Sequence, residues 1–347
     1  MKKLLNKIPR PRRRKSQDST ETAARITNET VAEHREQILA GGRKFKYPVQ
    51  VAKHRLIITT VILGVVTLVL LILLTWQQLY IAQNTSNFMY RITQLIPLSV
   101  ASVDGTSVRF SDYLKKYRSS IHYLQQQNSI NLNSEDGKRQ ADFIKRREIE
   151  SAQRDTYAAK LASNNKITVS SQEVEDFISR DLDAKRVSPE AYERTVLKSF
   201  YDWSLDDYRA IVHTELLKRK LSFAIDTTAR RTVNDLRTQL NSGADFATIA
   251  REHSEDLGTK GNGGDVGSIP VDNQDPNHLI SAATGMQPNQ ISHVITGSDG
   301  YYLIKLIEKS ETTIHYAQIK VGLHVLDQQF AKLQKDGKIK EFIKLDK

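Results

Sequence analysis

Cysteine is absent from all 347 residues, which excludes a disulfide framework and any thiolate metal site. Histidine is scarce. None of the nine forms a ligand pair at helical or strand spacing, so no metal centre is expected. The glycines at 261, 263, 264 and 267 lack a following Gly-Lys-Ser/Thr and miss the spacing of a dinucleotide fingerprint. Neither a phosphate loop nor a cofactor is therefore expected. Excess charge is also missing from most of the chain. Residues 1–55 hold 15 Lys/Arg against 5 Asp/Glu, while the rest hold 36 against 35. The net +11 is thus a property of one tail, and no nucleic acid is expected as a partner of the folded part. At this length two or more domains are possible.

One absence locates a membrane segment. No charged residue stands between Arg55 and Arg91, and Leu56 to Trp76 is almost wholly apolar. About 20 such residues span the ~30 Å hydrocarbon core. The alternative, a cleaved signal peptide, has a shorter apolar run nearer the N-terminus. The spacing predicts a single transmembrane helix over 56–78, a basic and largely disordered tail over 1–55, and a juxtamembrane linker over 79–96. A short helix from Glu29 to Leu39 is the exception within the tail. Lys44, Lys46, Lys53 and Arg55 crowd the N-terminal flank, which places the tail in the cytoplasm and the residues after about 80 outside. Pro9 to Lys15 is either topogenic charge or a site for anionic lipid.

After the linker, turn and capping signals mark a helical module. Asp104-Gly105 separates two short apolar runs, a hairpin signal. Ser111 heads a helix with Tyr113, Leu114 and Tyr117 on one face. Asn131 to Gly137 reads as a loop, and a long helix over 138–163 offers Phe143, Ile149, Tyr157, Ala158 and Leu161 to a core. Ser170 and Glu173 have capping-box spacing. Ser188-Pro189 and Ser204 start two more helices. This order, with Val100 to Gly105 as its opening, resembles the N-terminal chaperone module of SurA-like and PrsA-like foldases over residues 97–225. The plain alternative is a helical spacer. The resemblance implies a groove that holds unfolded chains.

A second domain is expected over 226–347. Ala229, Val233, Leu236 and Leu240 form one apolar helical face, stopped at Asn241-Ser242-Gly243. Asp245 caps a helix carrying Phe246, Ile249 and Ala250. Pro276 to Ala283 reads as a short helix, and Ile291–Ile295 and Tyr301–Ile307 as strands joined by a turn at Gly297 to Gly300. Val325 to Leu333 looks helical, and Ile339, Phe342, Ile343 and Leu345 form an apolar tail expected to pack on the sheet or on the helical module. The phrase Gly-Ala-Asp-Phe-Ala-Thr-Ile-Ala before Ser254, the closing Gly264-Asp265-Val266-Gly267 and the later Gly300-Tyr301-Tyr302-Leu303-Ile304 resemble the parvulin family of peptidyl-prolyl isomerases. The family opens with a strand ahead of its first helix. Here the matching stretch, Thr313 to Val321, comes last. The expectation is a permuted parvulin in which 313–321 pairs antiparallel with 301–307. The fold class is α+β: one transmembrane helix, a mainly helical module, and an antiparallel sheet with helices whose opening strand the C-terminal part supplies.

Prolyl isomerisation breaks no covalent bond. Its barrier is amide resonance, and a catalyst must bind the twisted amide better than either planar form. The resemblance places Asp256 at the family's central Cys/Asp position. Tyr302 and Gln318 stand where the family has two histidines. Leu279, Phe246 and Ile304 are implied to contact the proline-bearing chain, and Asp275 falls near another pocket position. His315 lies close enough in sequence to reach the site, although a surface role is the plainer reading. The resemblance implies an extracytoplasmic isomerase acting on X-Pro bonds of exported or unfolded polypeptides. A degenerate, binding-only domain and an envelope scaffold are the alternatives.

Overall fold

The computed structural model describes residues 27–46, 48–128, 131–132 and 134–345. The chain divides into two compact units, Met1–Leu73 and Leu74–Lys347. In the first unit, α1 (Asn28–Lys46) is a polar helix. It is longer than the 29–39 segment expected within a largely disordered tail. Glu, Gln and Ala favour local helix without tertiary help. The tail segment Pro9 to Lys15 lies outside the described residues. Helix α2 (Pro48–Trp76) holds the apolar run. Among the described residues one helical stretch, Lys53–Ile81, is long and apolar enough to cross a membrane. Leu56, Leu63, Leu70 and Leu73 are more than half exposed, so the stretch is apolar without a protein core around it.

The expected linker 79–96 is instead part of the second unit's fold. A π-helical turn, Gln77–Ile81, buries Leu79 completely, and α3 (Asn87–Leu95) follows under a Ser86 cap. Strands β1 (Ser99–Val103) and β2 (Thr106–Arg109) form the expected hairpin. Its turn needs positive φ, which Asp104 (46°) and Gly105 (79°) adopt. Helices α4 (Phe110–Asn128) and α5 (Glu135–Asn164) pack on it. Helix α4 starts one residue before Ser111, and Ser134 caps α5 three residues earlier than the loop reading placed it. Tyr113, Leu114, Ile149, Tyr157 and Ala158 are buried as expected, whereas Phe143 is 60% exposed. Ile144, one position round the helix, takes the core place.

Helix α6 (Ser171–Lys185) begins with the Ser170/Glu173 capping box. Then come α7 (Pro189–Tyr192), a π-helical stretch Glu193–Tyr201, and α8 (Leu205–Ile225) under a Ser204/Asp207 box. Helix α9 (Thr227–Asn241) and α10 (Phe246–His253) lead to β3 (Asp265–Pro270), α11 (Leu279–Thr284), β4 (Ile295–Thr296), β5 (Gly300–Lys309) and β6 (Thr313–Gly322). The sheet order is β3-β6-β5-β4, all antiparallel, so β6 is an interior strand although it comes last. The expected hairpin of 301–307 with 313–321 forms, with Tyr302 opposite Lys320 and Ile304 opposite Gln318.

The remaining segment corrects the 226–347 boundary. Helix α12 (Val325–Lys335) and β7 (Ile339–Glu341) return to the helical module. Strand β7 pairs with β1, and Phe330 and Ile343 are buried in the same core as Val100, Phe110 and Tyr157. The module is therefore built from both sides of the sheet domain in sequence. A three-residue strand pairs with an open edge wherever apolar neighbours hold it, a long-range event that local sequence does not announce.

Candidate active site

The two faces of the four-stranded sheet carry different cores, because side chains alternate along each strand. One face holds Tyr301, Leu303, Ile319 and Val321 against α9 and α10, including Phe246. The other holds Tyr302, Ile304 and Tyr316 against Leu279 and Ile280 of α11. Phe246 is thus a core residue of the opposite face and does not share a surface with Leu279 and Ile304. It follows the Asp245 cap directly, and that geometry turns it under the sheet.

Asp256 is positioned by backbone pairing just after α10. Ser254 is fully buried, and its Oγ accepts from Lys320 N at 3.1 Å and from Asp256 N at 3.3 Å. Glu255 N donates to Lys320 O at 2.9 Å. Residues 254–256 are thereby laid against β6, two residues from Gln318. The Asp256 carboxylate accepts from Gln318 Nε2 at 2.5 Å, Thr259 Oγ1 at 2.5 Å and Gly258 N at 3.2 Å. Burial alone would raise its pKa. The bonds from Thr259, Gln318 and Gly258, helped by the nearby Lys320 charge, overcome that and hold it below the usual carboxylate range. It is a fixed anion.

Tyr302 faces the same side but does not bond Asp256. Its hydroxyl donates to Asp299 Oδ1 at 2.7 Å and accepts from Asn277 Nδ2 at 3.2 Å. Lys320 Nζ closes this second cluster on Asp299 Oδ2 at 2.5 Å. A phenol reaches further than an imidazole, and here it ends at the β4–β5 turn. Burial, the bond to Asp299 and the charges of Asp299 and Asp256 push its ionisation upward, so it stays neutral. Tyr316, two residues from Gln318, is pushed up to about 12 by burial and by the charges of Asp275 and Asp256.

Sequence reasoning missed Thr259 and Tyr316. Each had a signal: a hydroxyl three residues after Asp256, and the i−2 position on the strand carrying Gln318. Asp275 is engaged at the start of α11. Its carboxylate accepts from Leu279 N at 2.6 Å and Ser281 N at 2.8 Å and so caps α11. His315 is held by Asp265 Oδ1 at 2.7 Å, away from Gln318. Leu279 is 5% exposed and Ile304 fully buried, and both belong to the core under this face of the sheet. Among the described residues no group of three or more His, Asp or Glu is placed to hold a metal ion.

Residues 218–308 match the PPIC-type PPIASE domain of the rotamases, and residues 50–222 match the SurA-like N-terminal domain. A foldase protein PrsA from Caldanaerobacter subterraneus is 25% identical over 236 residues, covering 59% of this chain and 73% of that protein. One from Clostridium kluyveri is 34% identical over 104 residues, covering 30% of this chain but only 29% of the relative's length. The solved structure of the peptidylprolyl isomerase PrsA from Bacillus anthracis aligns at 17% identity and a TM-score of 0.18, over 52% of this chain and 85% of that one. The two family matches meet inside α8, where the helical module runs into the sheet domain. Family resemblance thus gives this chain a SurA-like N-terminal domain over residues 50–222 followed by a PPIC-type PPIASE domain over residues 218–308.

Proposed function

We propose that this protein is a membrane-anchored, extracytoplasmic foldase that isomerises X-Pro bonds of exported polypeptides. Its anchor is the apolar stretch within Lys53–Ile81, with the basic tail in the cytoplasm. Its rotamase is permuted. The family match stops at residue 308, and β6, which follows it, is the strand that carries Gln318 into the sheet interior.

The observation that carries this reading is the Gln318–Asp256 hydrogen bond. A glutamine amide has two N–H groups. One goes to Asp256, which leaves the other for a substrate carbonyl or prolyl nitrogen. As the X-Pro amide twists, resonance is lost and the nitrogen becomes a better acceptor. A donor already held in place by a fixed anion needs no reordering to meet that state, and so binds it more strongly than the planar one. Tyr302 and Tyr316 supply neutral aromatic wall, and Leu279 and Ile304 the floor.

The test is turnover of an X-Pro peptide by the full chain in detergent. Asp256→Ala and Gln318→Ala are each expected to lower kcat/KM by about tenfold or more, which is ~1.4 kcal/mol of transition-state stabilisation. Tyr302→Phe is expected to change it little, because its hydroxyl is already engaged at the turn. Turnover unchanged in Asp256→Ala would remove Asp256 from the chemistry.

A second reading, a binding-only chaperone, is favoured by one feature: the floor residues are buried, and Tyr302 is bonded away from Asp256. It predicts suppression of client aggregation that survives Asp256→Ala, with no turnover from the unaltered chain.

A further inference from the structure

Beyond Leu74, eleven large apolar side chains are exposed among the described residues. Six of them (Trp76, Ile81, Phe88, Leu95, Ile96 and Phe342) fall in the short stretch 76–96 or in the returning C-terminal segment. The fold brings the two stretches together. Trp76 and Tyr80 line one open hollow of about 530 Å³ with Pro97, Leu98 and Phe342. Phe342 N donates to Val100 O at 2.9 Å, and Tyr80 hydroxyl donates to Ser99 O at 2.8 Å. Trp76 stacks on Tyr80, with ring centroids 6.2 Å apart. Leu95 is 85% exposed, and nothing within the unit covers it.

These side chains are not loosely tethered. Leu79 is fully buried between Trp76 and Ile81, and Tyr80 packs edge-on against buried Phe110 at 5.1 Å. Charge gives the second argument. No Asp or Glu occurs anywhere from Gln37 to Val103. Within residues 76–96 and 339–345 the exposed cations are Arg91, Lys340 and Lys344. Within the same described residues the acidic side chain is Glu341, which accepts from Gln153 Nε2 at 3.0 Å, on the side of α5. An apolar patch of this kind, rimmed by cations, needs a cover that is apolar below and anionic around.

We infer that the face formed by Trp76, Leu95, Ile96, Pro97 and Phe342 lies in the lipid–water interface of the membrane. Its aromatic and aliphatic tips enter the acyl boundary, and Arg91, Lys340 and Lys344 reach anionic headgroups. The folded unit is then seated on the bilayer by its own surface as well as held by its anchor. The inference rests on the anchored reading above and adds to it a fixed contact of the helical module with lipid. Trp76, the last residue of the apolar run, begins that contact. Tryptophan is favoured at this depth.

The cysteine-free chain allows clean labelling. Single Gly64→Cys, Leu95→Cys, Phe342→Cys and Leu257→Cys variants of the full chain carry an environment-sensitive fluorophore and are reconstituted in phosphatidylglycerol/phosphatidylcholine vesicles. Quenching is read with spin-labelled lipid. Position 64 lies within the apolar run and has open space around it, and Leu257 is 88% exposed on the rotamase side. Labels at 64, 95 and 342 are expected to be blue-shifted and quenched at least about threefold more than the label at 257. Quenching at 64 with 95 and 342 as wet as 257 overturns the inference and leaves the anchor standing. No quenching at 64 overturns the anchor and the inference with it. Blue-shifted labels at 95 and 342 that lipid does not quench would show a protein cover, and would also overturn it.

Discussion

Gly264 shows how closely the site depends on single atoms. Its φ is +86°, and a Cβ there would lie 2.4 Å from Gln318 O and 3.2 Å from Gln318 N. Both are backbone atoms that β3 and β5 hold on either side, so neither can give way. Gly264→Ala is expected to cost roughly 1–3 kcal/mol from the positive φ alone, before the clash is relieved. Relief moves Gln318 off Asp256, so turnover should fall along with stability. Denaturant unfolding and X-Pro turnover of one variant check both. A stable variant with full turnover would show that β6 shifts without moving the amide. Part of this site was legible in sequence. Asp256 and Gln318 were placed from motif and pairing, and the structure joins them. Phe246 failed because a motif gives order along the chain and not the face of the sheet. Tyr302 was assigned by position, but its length carries the hydroxyl past Asp256 to Asn277 and Asp299.

At the scale of elements, helix starts were the most legible feature. Ser170 with Glu173 and Ser204 with Asp207 are local signals, satisfied by atoms three residues apart. What local sequence could not show is where a segment docks. Residues 79–96 hold many apolar positions, but local sequence does not say which find distant partners: Leu79 and Met89 are buried, whereas Phe88 and Leu95 are exposed. The C-terminal segment was legible as a helix with an apolar tail bound for the sheet or the helical module, but which of the two it joins was not. Phe330 is 1% exposed, meets Tyr157 at 6.2 Å between centroids, and lies under Arg154 at 4.5 Å. Phe330→Ala is expected to destabilise the helical module by about 3–5 kcal/mol. Amide exchange is the measurement: protection in β1, β2 and α5 should fall more than in β5 and β6. Equal loss in both regions would mean that α12 supports the whole unit instead.

For the whole molecule, the unit Leu74–Lys347 has a sheet domain inserted into a helical module, and the chain crosses between them twice. Both crossings meet at Asp226, which is 2% exposed. Its Oδ1 accepts from Ala229 N at 2.9 Å, on the way out. Its Oδ2 accepts from His324 N at 2.7 Å and Val325 N at 3.1 Å, on the way back. Nearby, Arg219 Nη2 donates to Gly297 O at 2.9 Å, and Phe223 meets Tyr301 edge-on at 5.2 Å. Burial would raise the Asp226 pKa, but the bonds from Ala229, His324 and Val325 bring it below the ordinary 3.8. A carboxyl whose folded pKa is depressed adds stability above its unfolded pKa and loses it as pH falls through the folded value. The clamp is therefore fully set at neutral pH and releases in acid, below 3.8. Asp226→Ala leaves three backbone donors without their acceptor and should cost about 3 kcal/mol at neutral pH. Because the lost bonds join the two parts, calorimetry is expected to resolve one transition in the unaltered protein and two in the variant. Asp226→Asn keeps an acceptor without the charge, so its acid limb should be shallower by this residue's share. A single transition in Asp226→Ala would show that Arg219 and Phe223 suffice to couple the parts.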